Sequence, residues 1–289
     1  TRAWLEENAR QLGVEWFTSA QRPEGWVGKS WACHQLGHRA CADWLVFIDA
    51  DTEPSVDFVQ ILSGIFCNTD ATLVTGMSRV IPTGLGDALL VGMVPFSVFS
   101  MLPLNLAENF IHPGLAFANG QVMCFRRRDY LTLEPHQMVR FAFVEDMQLA
   151  RMMKRLGRTV YIGDFVDCFG VHMYGSVSEA LDGFAKNAVE IAGSVGSAIL
   201  ICVVLAATYL APLAVLASGE RLAIVPVVLA GVLYGASVAM AGLPAWFGLL
   251  YPAAIGLGIA AFARSVLWRV TGRVEWKGRT YDPSRRIER

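Results

Sequence analysis

Trp44-Leu45-Val46-Phe47-Ile48 is a run of five apolar residues, and Asp49-Ala50-Asp51 closes it with two acids. A run this short, preceded by a helical stretch and stopped by turn residues, has the pattern of a strand buried in a parallel sheet. In open α/β sheets ligands bind beyond the carboxyl ends of the strands, which is where Asp49 and Asp51 would sit. Two carboxylates held this close repel each other unless one takes up a proton or a cation stands between them. A hard divalent ion answers that need. Mg²⁺ takes only one or two protein carboxylates and fills its shell with water and substrate phosphates, which suits a nucleotide diphosphate. The same two acids also fit a solvated turn or a helix N-cap ahead of Pro54, so the surrounding sequence has to decide.

Upstream, residues 4–12 have helical spacing up to Gly13, 14–17 read as a short strand, and 29–41 read as a helix behind a loop with Pro23 and Gly25. Downstream, 71–78, 121–125 and 159–162 read as strands, and 146–156 as a helix closed by Gly157. Together these elements predict one α/β domain over residues 1–190. Within it, 88–104 is almost uncharged but interrupted by Pro95 and Pro103. Seventeen residues are short for a crossing, so an interfacial segment beside a membrane is expected, with a buried core helix as the alternative.

The formal net charge of −1 hides three unlike parts. Residues 1–190 carry 15 Lys/Arg and 21 Asp/Glu, 191–263 carry only Glu220 and Arg221, and 264–289 carry eight basic residues against three acids. The middle part cannot be a water-facing surface, and it divides into three spans at about 193–217, 222–241 and 245–268, each long enough to cross a bilayer. The basic tail, 269–289, belongs on the cytoplasmic side by the positive-inside rule, whereas three crossings would put it opposite the α/β domain. Either one apolar stretch is re-entrant or the rule fails here. The six cysteines show no metal-binding or redox spacing and read as reduced thiols.

Taken in order, Pro23-Glu24-Gly25-Trp26-Val27-Gly28-Lys29-Ser30-Trp31-Ala32, Phe47-Ile48-Asp49-Ala50-Asp51, Asn119-Gly120-Gln121, Val144-Glu145-Asp146-Met147-Gln148-Leu149-Ala150, Lys154-Arg155-Leu156-Gly157 and Trp276-Lys277-Gly278-Arg279-Thr280-Tyr281 resemble membrane-anchored family 2 glycosyltransferases. The bacterial enzymes associated with hopanoid and carotenoid glycosylation are the nearest in pattern. The resemblance implies a GT-A (Rossmann-like) domain followed by C-terminal transmembrane helices, a nucleotide-sugar donor, Mg²⁺ or Mn²⁺ at the Asp-x-Asp, and inversion at the anomeric carbon. It further implies a lipid, polyisoprenoid or hopanoid-like acceptor, a cytoplasmic catalytic domain and no nucleic-acid partner. Relatives begin with a strand-helix-strand unit that is not found before Thr1 here, from which residues 1–289 alone are expected to be inactive.

Carried over residue by residue, Asp49 and Asp51 match the metal-binding pair, Asp51 being the direct ligand, and Asp146 matches the general base with Glu145 beside it. That assignment suits the chemistry: inverting transfer is one in-line displacement, so a carboxylate must take the acceptor hydroxyl proton while cations stabilise the departing diphosphate. The acidic start of a helix explains Glu145 and Asp146 equally well. Lys29, at a helix start with free backbone N–H groups, is expected in the donor site, and Lys277 and Arg279 on the diphosphate or on lipid headgroups. His172 stands where an arginine is expected, making any contact there pH-sensitive.

Glu134-Pro135-His136 replaces the Gly-Gly-His turn of relatives. Gln137-Met138-Val139-Arg140-Phe141 resembles the QxxRW of processive synthases but precedes Asp146 instead of following it, which favours transfer of one sugar. A processive polysaccharide synthase and an inactive membrane scaffold are the rival readings. His34 and His38 lack the Glu of HExxH, so no zinc hydrolase is expected, and Arg126-Arg127-Arg128 reads as a solvated or headgroup-facing patch.

Overall fold

The computed structural model describes residues 2–142, 144–272, 274–276 and 279–281. In chain order it runs α1 (Arg2–Asn8), α2 (Gly28–Arg39), β1 (Trp44–Ile48), β2 (Thr52–Pro54), α3 (Phe58–Asn68), β3 (Leu73–Val80), α4 (Leu85–Val91), α5 (Met93–Met101) and α6 (Leu104–Asn109). Then come β4 (Val122–Arg126), α7 (Arg127–Leu133), α8 (Pro135–Met138), α9 (Glu145–Arg155), β5 (Val160–Val171) and α10 (Val177–Ala192). The apolar part holds α11 (Val195–Leu205), α12 (Ala211–Ala217), α13 (Ile224–Ala239) and α14 (Tyr251–Thr271), and β6 (Val274–Trp276) and β7 (Arg279–Tyr281) pair antiparallel after it.

Five strands form one mixed sheet in the order β1-β4-β3-β5-β2, in which only β3 and β5 run parallel. Alternate side chains of the strands feed two cores. Leu45, Leu73, Met123 and Phe125 pack with Tyr130, Leu149 and Met153 of α7 and α9, whereas Val74, Val122 and Cys124 pack with Phe58 and Leu62 of α3. Helices therefore cover both faces of the sheet. At Gly76 a Cβ would lie 2.1 Å from the Gly163 carbonyl, so β3 and β5 approach as closely as they do because a glycine stands there.

Two sequence expectations are corrected. β1 is not a buried parallel strand: it pairs antiparallel with β4 at the edge of the described sheet, and Val46 and Ile48 are exposed. An unbroken apolar run does not distinguish these cases, since period-2 burial is visible only when outward positions are polar. Residues 14–17 form no strand; they lie in an irregular segment with Val14 exposed. The Arg126–Arg128 run is only partly solvated. Arg126 bonds the Thr69 carbonyl and lies over the Trp44 ring, and Arg127 donates to the Ala40 carbonyl at 2.7 Å, leaving Arg128 outside.

Three helical stretches are long and apolar enough to cross a membrane: Val195–Ala217, Arg221–Ala239 and Ala245–Thr271. The first is continuous through a wide π turn at Ala206–Leu210. The segment 88–104 has packing partners among them: Ala88, Leu89, Met93 and Phe96 are buried with Tyr234 and Val238 of α13 and Ala254 and Ile255 of α14. Buried Asp87 holds the start of α4 by accepting from the Gly84 and Thr83 N–H groups at 2.7 and 2.8 Å.

α13 returns to the sheet, where Ala241 O accepts from the Val80 N–H at 2.9 Å. The 3-10 turn Ala245–Leu250 then doubles back along α13, bringing Gly248 against Gly231 and Gly235. α14 consequently starts inside the bundle, runs antiparallel to α11 with Ile259 beside Cys202, and ends along α10 through Asp182–Arg264 and Val189–Ser265 contacts.

Candidate active site

Three connections deliver charged side chains to one end of the sheet. Asp49 follows β1, Glu145 and Asp146 open α9, and Lys29 is the second residue of α2. Lys29 Nζ lies 2.8 Å from Asp49 Oδ1, 2.7 Å from Glu145 Oε1 and 3.4 Å from the Gly120 carbonyl. Its ammonium is thus the cation for two of the acids. Glu145 has a side chain only 7% exposed, and Lys29 is its ion-pair partner. Asp146 accepts the Gly120 N–H at 2.8 Å on Oδ2 and the Met147 N–H at 2.7 Å on Oδ1. Neither α2 nor α9 has a side-chain N-cap, because Val27 and Val144 occupy those positions, and both helix N-termini face the cluster.

Burial, reinforced by the charge of Glu145, pushes the Asp146 carboxyl up to about 6, against its two backbone donors and Lys29. Burial likewise holds Asp49 above the ordinary aspartate range, opposed by Lys29. Burial works against the charge of Lys29 itself, but Glu145 and Asp49 outweigh it and hold the ammonium above the usual lysine range. The arrangement is therefore a fixed cation, two paired acids and one carboxyl, raised by burial, that changes charge near neutral pH.

Asp51 and His172 meet one step away. The His172 N–H donates to the Asp51 carbonyl at 3.1 Å, and the His172 ring pairs with Glu53 at 3.0 Å. The Asp51 side chain is exposed and makes no hydrogen bond or ion pair with another described residue. One free carboxylate beside the Asp49 pair suits a divalent ion that takes most of its ligands from water and phosphate; Asp49 itself is already engaged by Lys29. Lys277 lies outside the described residues. Arg279 begins β7, opposite Trp276 in β6, and β6 lies against α10.

From sequence, Gly120 stands within a motif but has no role of its own, and Thr75 and Ser78 are not singled out at all. Gly120 touches both Lys29 and Asp146: a Cβ there would lie 3.0 Å from Asp146 Oδ2 and 3.2 Å from Lys29 Nζ. Its turn is fastened to β3, where Thr75 Oγ1 donates to Val122 O at 3.0 Å and accepts the Asn119 N–H at 2.9 Å. Ser78 Oγ donates to Gln121 Oε1 at 2.6 Å. Polar residues inside an otherwise apolar strand were the available signal. Other motif residues serve the frame. Val27 N–H donates to Arg140 O at 2.7 Å, the Phe141 ring closes over Gly25, and buried His136 bonds the Tyr130 hydroxyl at 2.8 Å. Burial, with Lys29 and His34 nearby, drives His136 down to about 3, so it is a neutral core histidine.

No family model matches the chain, and no curated protein matches it.

Proposed function

We propose that the protein is an inverting glycosyltransferase that moves one sugar from a nucleotide-sugar donor to a lipid or lipid-like hydroxyl at a membrane. The observation that carries this reading is the Lys29-Asp49-Glu145-Asp146 cluster at the end of β1, with Asp146 raised to about 6. A carboxylate with that affinity for a proton suits a general base acting near neutral pH. Asp146 takes the proton of the acceptor hydroxyl, and Glu145, through Lys29, fixes the field around it. The unpaired N–H groups at the start of α2, with Lys29, receive the diphosphate. Asp51 holds a divalent ion that, when bound, supplies positive charge to the leaving diphosphate. Three helices apolar enough to enter a bilayer keep this cluster near a lipid acceptor.

The test is sugar transfer by the protein expressed from its whole coding sequence in membranes, supplied with a panel of nucleotide sugars. Asp146→Asn is expected to lower turnover about 10²–10⁴-fold, with folding intact by circular dichroism, and Asp51→Asn to lower it and weaken the dependence on Mg²⁺ or Mn²⁺. Undiminished donor turnover in both variants would remove the enzyme reading and leave the scaffold. Addition of many sugars to one acceptor would favour the processive reading.

A further inference from the structure

A second group of metal-ligating side chains lies farther along α2. His34 and His38 are one turn apart on the same face of that helix, and the junction of α7 and α8 brings Glu134 to them from 96 residues beyond His38. Glu134 Oε2 lies 3.0 Å from His38 Nε2 and 3.4 Å from His34 Nδ1, and the ligand atoms of the three residues all fall within 4.8 Å of one another. His34 Nδ1 is buried and makes no hydrogen bond despite that approach. Glu134 is also the one non-glycine residue with positive φ, 46°, among the described residues. Glycine or asparagine is usual at such a helix end. A glutamate there accepts backbone strain and offers a carboxylate in their place.

We propose that His34, His38 and Glu134 form a zinc site, separate from the acid cluster, that clamps α2 to the α7–α8 turn. Two imidazoles and one carboxylate are the donor types of a three-ligand zinc site, with the fourth position left to water. Two nitrogen ligands select against Mg²⁺, which demands oxygen and octahedral geometry. Trp26 and Trp31 wall the site, their ring centroids 5.0 and 5.7 Å from that of His34. Since α2 also carries Lys29, a clamp on its second half would fix the helix that supplies the cation of the acid cluster.

The test uses untagged, chelator-treated protein in detergent, titrated with Co²⁺ as a spectroscopic stand-in and then with Zn²⁺. One equivalent of Co²⁺ is expected to give the visible absorption of a tetrahedral ion with nitrogen and oxygen ligands, which Zn²⁺ displaces, and Zn²⁺ is expected to raise the thermal midpoint. His38→Ala and Glu134→Gln should each weaken Zn²⁺ binding by more than about tenfold, while Asp51→Asn keeps both signals. Glu134→Gln keeps the size of the side chain, so it answers the question even where His38→Ala folds poorly. No Co²⁺ band in the parent protein, a band that survives both substitutions, or near-ultraviolet absorption from cobalt–thiolate bonds would each overturn the proposal.

Discussion

Asp146 is the residue whose chemistry can be read in a titration. Its carboxyl is raised above the ordinary aspartate value to about 6 by burial and by Glu145, so the folded chain holds a proton that the unfolded chain releases at lower pH. Ionising it therefore costs stability as pH rises from about 4 through 6, whereas a base is useful only once ionised. The two requirements run in opposite directions, as they do at sites built for reaction and not for stability. If Asp146 is the base, kcat/KM rises tenfold per pH unit below about 6 and levels above it. Lys29→Met removes the positive charge that opposes the upward shift of Asp146, so the Asp146 carboxyl holds its proton more tightly and the limb moves to higher pH. A pH–rate series on the two proteins checks this, and an unmoved limb in Lys29→Met would separate the titrating group from the cluster. Lys29, Asp49, Glu145 and Asp146 stood out in the sequence through the ordered motifs that contain them, not through their residue types, and the fold brings these four together. The role of Gly120 was not legible, because it depends on proximity to Lys29 and Asp146, separated from it along the chain by many residues.

Among the elements, α9, β3, β4 and the three apolar helical stretches were read close to their observed bounds, whereas the length of β5 was not. α9, closed by Gly157 at φ 67°, and the three apolar helical stretches follow from local pattern. β5 runs from Val160 to Val171, far beyond 159–162, although Gly163, Asp164 and Asp167 argue against a strand. Pairing with β3 on one side and β2 on the other supplies what propensity does not. Helix contacts in the bundle are likewise set by small residues. A Cβ at Gly248 would lie 2.4 Å from the Gly231 carbonyl, and one at Gly235 would lie 2.5 Å from the Ala245 carbonyl. Backbone atoms cannot swing aside as a flexible side chain can, so Gly248→Ala must push the 3-10 turn off α13. The expected loss is about 1–3 kcal/mol, read as a lower thermal midpoint in detergent. An unchanged midpoint would mean that this contact is looser than its geometry.

For the molecule as a whole, the conflict between a basic tail and three apolar stretches turns on the segment that doubles back. Val195–Ala217 leads away from α10, and Arg221–Ala239 returns to the sheet, where Ala241 bonds Val80. From there Ala245–Leu250 re-enters the bundle to the level of Gly231, about 12 Å along α13 from its end, and α14 comes back out beside α10. The third stretch therefore begins and ends toward the same end of the bundle, which leaves Val195–Ala217 and Arg221–Ala239 as the two stretches that run its length, and β6 lies against α10. Two passes, by the positive-inside rule, are the count that would let the basic tail and the acidic α/β part share one aqueous face. The α/β part is also not separable from the helices, since Leu89 and Phe96 are buried against α13 and α14. This arrangement is checked with epitopes placed at Gly219, in the turn between the two passes, and after Arg289, in sealed vesicles whose α/β part faces the added protease. The Arg289 epitope is expected to be cut together with the α/β part, and the Gly219 epitope to survive until detergent is added. Protection of the Arg289 epitope would restore three passes and place the basic tail across the membrane from the acid cluster.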